Sequence, residues 1–364
     1  MSSLYLGALS GTSMNSIDAA LFDFAPKQPK LLARHAIPFP DLLREKLQHL
    51  ILNPHSLREY VLAEYALSQS FAQCIQALIE NSTATPDEIA AAGIHGQTLL
   101  HQTSDEPSLT LQLLNPSRIS AQCGISVISD FRRRDLAEGG EGAPLAPIAH
   151  RRLFHSANEN RAVVNIGGIA NVTWLPAEGP VQGYDSGPGG GLLDEWSQLH
   201  LGEDYDQYGQ WGRKGTVQEK LLETMLRDPY FAQSPPKSTS REYFSRSWVE
   251  GMVMEHPASP DDIQATLTEL TARSIGDALL AAAPNIQRVL LCGGGARNTY
   301  LMERLAAQLS VPIELTDEHG LDAEWVECFL FALLAYLHDH KEAADLTEIT
   351  GCRKAAVLGA AWPV

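Results

Sequence analysis

The chain lacks the cysteine pattern of a disulfide framework or a zinc site. Cys74, Cys123, Cys292, Cys328 and Cys352 are odd in number, scattered and never spaced C-x-x-C, which reads as free thiols in a reducing compartment. Long apolar runs are also missing. The longest, from Trp325 to Leu337, is broken by Glu327 and is too short to span a bilayer. The opening MSSLYLGAL has no charged region followed by a long apolar stretch, so no signal peptide is expected. A cytoplasmic protein without a membrane partner is expected. Positive charge is scarce: 27 Lys and Arg stand against 44 Asp and Glu, a formal net charge of −17. The only dense basic run is Arg132-Arg133-Arg134, too short for the footprint of a nucleic-acid binder. An anionic substrate must then be met by a local site rather than by the field of the whole surface.

Several catalytic signatures are absent too. No G-x-x-x-x-G-K-[ST] phosphate loop occurs; Lys237-Ser238-Thr239 imitates its end, but Pro235-Pro236 stand where the loop should be. A Rossmann G-x-G-x-x-G and a hydrolase G-x-S-x-G elbow are missing. His95, His101, His150 and His155 do not have the helical H-E-x-x-H spacing, which argues against a protein-ligated metal.

What is present is a glycine-turned hairpin signal that appears twice. Leu4 to Phe22 and Ala162 to Leu175 each read as apolar strand, small polar turn, apolar strand. Glycine in such a tip lets a ligand approach the backbone, and successive N–H groups form an anion-binding nest. One tip per half suggests two lobes closing on one polyphosphate. A length of 364 residues also fits two lobes, and a hydrophobic fraction of 44% fits a globular enzyme.

Between these landmarks the pattern predicts a third strand over 30–39, helices over 42–52 and 57–79, and a short strand in AAAGIHGQTLLH that ends in a polar loop. A buried strand over 125–131 should precede a charged, Gly-rich loop, RRRDLAEGGEGAP, where the lobe boundary is expected. A helix over 144–154, an amphipathic helix over 263–282 and a helix over 325–338 follow. The C-terminal TGCRKAAVLGAAWP should return to the first lobe. The lobes are accordingly placed at 1–135 plus about 345–364, and at 136–344.

Chemistry-bearing residues stand at the strand ends. Asp185 lies on the lip of the turn Ser186-Gly187-Pro188-Gly189-Gly190-Gly191, where a carboxylate on a rigid strand can act as a general base or merely cap the turn. Glu327 interrupts an apolar helix, either as a functional buried acid or at an edge facing water. Gly293-Gly294-Gly295 joins a strand to a helix, which suits a nucleotide lying on the backbone or a close-packed turn. His95, Gln97 and Thr98 form a polar patch after a strand. A nucleotide bringing its own Mg²⁺ is the simplest cofactor.

Ordered along almost the whole chain are LSGTSMNSID, HGQT at 95–98, DFRRRD at 130–135, GGEGAPLAP at 139–147, NIGGIANVT, DSGPGGGLLDEW, PPKSTSRE, QATLTELTA, CGGGARN and TGCRKAAVLGA. In these motifs the chain resembles the 1,6-anhydro-N-acetylmuramic acid kinases of bacterial cell-wall recycling. The resemblance implies an α/β, two-lobed actin-like ATPase fold, that of sugar kinases, Hsp70 and actin, with duplicated mixed-sheet domains and an interlobe cleft. It implies hydrolysis of the internal 1,6-anhydro bond coupled to phosphorylation of O6 by ATP with Mg²⁺. Asp185 matches the family's water-activating aspartate and Glu327 a glutamate that helps position that water. Gly11, Thr12, Ser13, Met14, Asn15, Asp18, Gly167, Gly168 and Asn171 would serve the phosphates, and Gly293, Gly294, Gly295 and Asn298 the adenosine side. His95, Gln97, Thr98 and Arg132 would face the amino sugar. A homodimer is implied as well.

The chain departs from the family pattern at a few places. Asn15-Ser16 replace Asp-Gly, which would remove a carboxylate beside the phosphate loop and strain a turn that expects glycine. Glu141 replaces Gln, Gly190 replaces Asn, and Ser240 replaces Gly.

Overall fold

The computed structural model describes residues 2–11, 14–52, 56–103, 107–283 and 285–364. Its strands, in chain order, are β1 (Leu4–Ser10), β2 (Ser16–Asp23), β3 (Lys30–Pro38), β4 (Ile89–His95), β5 (Gln97–Gln102), β6 (Leu109–Leu113), β7 (Val127–Ser129), β8 (Arg161–Ile166), β9 (Ile169–Leu175), β10 (Gln182–Pro188), β11 (Arg288–Cys292), β12 (Ile313–Leu315) and β13 (Ala360–Trp362). The chain divides into two compact units, Met1–Ala149 with Trp325–Val364, and His150–Glu324. The breaks therefore fall at 149/150 and 324/325, whereas the sequence pattern put them at 135/136 and about 345. The helix Val326–Asp339 belongs to the first unit because it packs directly on β1 and β4.

The first unit is built on a six-stranded sheet of order β13-β7-β4-β1-β2-β3. Strands β1, β2 and β3 form an antiparallel meander, and β4 and β7 extend it in parallel from β1. The second unit repeats the plan. Strands β8, β9 and β10 form the meander, and β11 and β12 extend it in parallel from β8. Both hairpins read from the sequence are thus the founding elements of a duplicated mixed α/β sheet. The returning terminus is observed as well: β13 pairs antiparallel with β7.

One core of the first unit joins Leu6, Ala8, Ile17 and Ile94 on the sheet to Leu67, Phe71 and Ile75 on the helix Leu57–Glu80. In the second unit Val164, Val172, Val289 and Leu291 pack against Ile275 and Leu279 of the helix Pro260–Ala282. That helix also closes a separate cluster with Trp196, Leu221, Tyr230 and Phe244. All five cysteines are buried free thiols. No helix among the described residues is long and apolar enough to cross a membrane.

Three local expectations fail. The expected strand over 125–131 is cut to β7, and Phe131–Ala137 is a helix where a charged loop was expected. Only Phe131 and Asp135 of that helix are buried, so its sequence shows no apolar period. The expected polar loop after His95 is instead β5, which pairs antiparallel with β6.

Candidate functional site

In the second unit the candidate residues gather at one end of the sheet. The register sets Asn165 on β8, Asn171 on β9 and Asp185 on β10 side by side, and β10 shifts register between Asp185 and Gly187. The tip Gly167-Gly168 is clasped by the glycine run after β10. Gly189 and Gly191 donate their N–H groups to the Gly168 carbonyl at 3.0 and 3.1 Å, and Gly190 donates to that of Gly167 at 2.7 Å. A side chain at 189 would overlap the Gly167 carbonyl, so this contact requires glycine. At 190 it does not. The backbone is right-handed (φ −74°), and the nearest atom to an added Cβ is 3.6 Å away.

The three glycines after β11 divide their roles. Gly293 has φ +83°, and side chains at 293 and 295 would overlap Asn165 and Ile166, so both serve close packing. Gly294 is exposed, with nothing within 4 Å of an added Cβ, and offers open backbone to a ligand. The Asn298 side chain caps the helix Thr299–Ala306, its Oδ1 accepting the Leu301 N–H at 3.0 Å.

Asp185 is 8% exposed. Its Oδ2 accepts the Thr239 N–H at 3.0 Å, its carbonyl accepts the Tyr230 hydroxyl at 2.7 Å, and its N–H donates to the Lys237 carbonyl at 3.2 Å. The Lys237 ammonium is buried, donates to the Tyr230 carbonyl at 3.2 Å and lies 4.6 Å from the centroid of the Tyr230 ring. Burial lowers the Lys237 pKa, and the negative charge of Asp185 opposes that shift. Asn171 Oδ1 and Thr239 Oγ1 are buried without a hydrogen-bond partner among the described residues. Buried polar atoms are normally satisfied, so this pair marks where ligand donors would be received.

Sequence reasoning did not single out Tyr230, Lys237 or Thr239 as parts of this site. The motif PPKSTSRE was visible, but only the fold brings it against β10. Asp194 was missed as well. It lies in the first turn of the helix Gly191–Leu201, and burial raises its pKa from 3.8 to about 7, against the lowering effect of Arg241. The folded chain therefore holds a proton that the unfolded chain releases between those values. The stability this proton confers is present below the ordinary carboxylate range and is lost as pH rises through about 7. Asp194→Asn should match the parent in thermal unfolding near pH 4 and exceed it near pH 8, by on the order of 2–4 kcal/mol. An equal difference at both pH values would sink this assignment.

In the first unit β1 and β4 run in parallel and bring Leu9 opposite His95. Ser10 donates its hydroxyl to Gln97 Oε1 at 2.9 Å. Arg132 Nε donates to His95 Nε2 at 3.0 Å, and its Nη1 donates to the Gly142 carbonyl at 2.7 Å. His95 is buried with its ring 4.8 Å from that of Phe331. Burial first, and the Arg132 charge second, hold its pKa well below the usual histidine range, so the imidazole is a neutral acceptor. Burial brings His101 down to about 4. Thr98 Oγ1 accepts from Gln112 Nε2 at 3.5 Å. The candidate sugar residues thus form two polar pairs, Ser10 with Gln97 and Arg132 with His95.

Of the expected phosphate loop, Thr12 and Ser13 lie outside the described residues. Beside them Gly11 accepts the Met14 N–H at 3.0 Å, and Asn15 is exposed. Met14 is left-handed (φ 52°), while Ser16 is the first residue of β2. Serine at 16 therefore strains no turn, contrary to expectation. Asp18 sits on β2 opposite Leu9. Glu327 is exposed in the first turn of its helix, where a carboxylate complements the helix dipole. The water-facing alternative holds, and the buried one does not. Among the described residues no three His, Cys, Asp or Glu side chains converge as a metal site.

The comparisons with known proteins agree with one another. A family model described as anhydro-N-acetylmuramic acid kinase matches residues 3–364. A protein of that name from Nitrosospira multiformis is 42% identical over 361 residues, spanning 99% of this chain and 98% of its own length. Another, from Bordetella petrii, is 43% identical over 368 residues, spanning 99% and 96%. Among solved structures, component A of the Acidaminococcus fermentans (R)-2-hydroxyglutaryl-CoA dehydratase superposes with a TM-score of 0.50 at 15% identity. The match covers 93% of this chain and all of that one, a likeness of fold alone.

Proposed function

The chain belongs to the anhydro-N-acetylmuramic acid kinase family, and from that premise we propose that it opens the 1,6-anhydro ring of 1,6-anhydro-N-acetylmuramic acid with water and phosphorylates O6 from ATP. The products are N-acetylmuramic acid 6-phosphate and ADP, a step of cell-wall recycling in the cytoplasm. The observation that carries this reading is Asp185, a buried carboxylate fixed by Thr239 at the bulge of β10, in register with the unsatisfied Asn171 Oδ1.

In this scheme Asp185 takes a proton from the water that attacks the anomeric carbon. The bond from that carbon to O6 breaks, and O6 takes the γ-phosphoryl group as ADP departs. The protein supplies position and electrostatic support, since phosphoryl transfer asks little covalent chemistry of it. Gly167-Gly168 and the turn after Gly11 would cradle phosphates, and Gly294 would give the adenosine open backbone. His95, Gln97 and Arg132 would hold the sugar. Exposed Glu327 would help order the water. Mg²⁺ would neutralise phosphate charge and arrive on the nucleotide, with Asp18 on β2 as a nearby carboxylate. A homodimer is the expected assembly, checked by light scattering.

The test is incubation with ATP, Mg²⁺ and the anhydro sugar, following ADP and the mass of the sugar product. A product heavier by one water and one phosphoryl group supports the proposal. Faster turnover of open N-acetylmuramic acid or N-acetylglucosamine would instead make the chain an ordinary amino-sugar kinase. ATP binding without turnover would make it a binding protein.

A further inference from the structure

The helix Phe131–Ala137 buries a carboxylate that the reading above does not use. Asp135 is 2% exposed. Its Oδ2 accepts the Gly142 N–H at 2.7 Å, and its Oδ1 accepts the Thr350 hydroxyl at 2.8 Å. The loop is shaped around it. A side chain at Gly140 would overlap Asp135 Oδ2, and Gly142 is left-handed (φ +71°) with Leu136 where its side chain would go. Gly142 is therefore held on both sides, through two successive peptide groups. Its N–H faces Asp135 and its carbonyl faces Arg132 Nη1, while Arg132 Nε reaches His95. Neutral His95 keeps its acceptor lone pair across the working pH range. Two hydrogen-bonded links, Thr350 to Asp135 to the Gly142 N–H and the Gly142 carbonyl to Arg132 to His95, thus meet at the backbone of Gly142.

We propose that Asp135 is a positioning residue for sugar recognition, which holds the backbone of Gly142 and, through the Gly142 carbonyl, the direction in which the Arg132 guanidinium meets the anhydro sugar. The proposal rests on the reading that Arg132 contacts the sugar. A guanidinium is a planar donor array, so a turn of the plane misplaces each of its bonds to a ligand. Water can replace a lost Gly142 bond but cannot restore that plane, and buried networks of this kind fail together.

The test is a mutant cycle in the full-length enzyme, with KM measured for the sugar and for ATP. Arg132→Ala should raise the sugar KM by about 10- to 100-fold and leave the ATP KM within about twofold. Asp135→Ala should raise the sugar KM by about 5- to 10-fold, again sparing ATP. The double variant should be no worse than Arg132→Ala alone, because both changes remove one interaction. Asp135→Asn can still accept from Gly142 and donate to Thr350, and should stay within about threefold of the parent. If Asp135→Ala does not fold, Thr350→Val, which removes one of its hydrogen-bond donors, takes its place in the cycle. A fall in kcat at unchanged sugar KM, or losses that multiply in the double variant, would assign Asp135 to stability alone and overturn the proposal. An unchanged sugar KM in Arg132→Ala would overturn the placing of Arg132 first, and Asp135 with it.

Discussion

Asp185→Asn is expected to lower kcat by about 1,000-fold or more while ATP binds as before, since removing a positioned general base costs roughly 10²–10⁴ in rate. The substitution keeps the shape of the side chain. Its amide oxygen can still accept the Thr239 N–H that Asp185 Oδ2 accepts at 3.0 Å. The bonds to the Tyr230 hydroxyl and the Lys237 carbonyl are made by the backbone of residue 185, while the Lys237 ammonium loses the negative charge that favours its protonated form. The NH₂ group then stands where the second carboxylate oxygen stood, and it cannot take a proton from water. The phosphate cradle is held by glycine backbone, Gly167 and Gly168 against 189–191, which the change leaves alone. Loss of turnover with unchanged nucleotide affinity in a folded variant is the expected pattern. A variant retaining more than about a tenth of the parent rate would remove Asp185 from the role of base.

The candidate cluster of the second unit was legible because it is local. A hairpin fixes its own register, so an apolar run, a Gly-Gly turn and a second apolar run already place Asn165 opposite Asn171. The third strand then brings Asp185 into line with Asn171. Lys237 and Thr239 were not legible as its partners. They approach Asp185 from far along the chain, and nothing in the pattern of a turn-rich segment announces a buried ammonium. Burial of single charged residues was equally hidden. Glu327 reads as a break in an apolar helix yet is exposed, because it points outward in the first turn while Val326, Cys328 and Phe329 around it are buried. Asp135 reads as one more charge in RRRDLA yet is buried, because two glycines and Thr350 close around it. In both cases the outcome depends on tertiary neighbours, which no local period encodes.

Gly7→Ala or Gly93→Ala should destabilise the first unit by about 3 kcal/mol or more, a fall of roughly 6–12 °C in melting temperature. Gly7 and Gly93 are register partners on the adjacent parallel strands β1 and β4. Across them lies the helix Val326–Asp339, packed backbone against backbone. A methyl group at 7 would overlap the Cys328 carbonyl, and one at 93 the Phe331 carbonyl. Neither neighbour is a flexible side-chain end, so relief requires the helix to lift off the sheet. Lifting it would loosen contacts such as Phe22 with Phe329, whose ring centroids are 5.2 Å apart, and Phe331 with His95. Neither glycine has a left-handed backbone, so the cost is one of space and not of conformation. Gly251→Ala is the control. Gly251 lies within the helix Arg246–Glu255, is exposed, and has nothing within 4 Å of an added Cβ. The same methyl group there should stabilise by about 0.5–1 kcal/mol through helix propensity. Opposite signs for one chemical change would show that these strand glycines are kept for the close approach of the helix that carries Glu327. Equal small effects would mean that the helix sits on the sheet with slack.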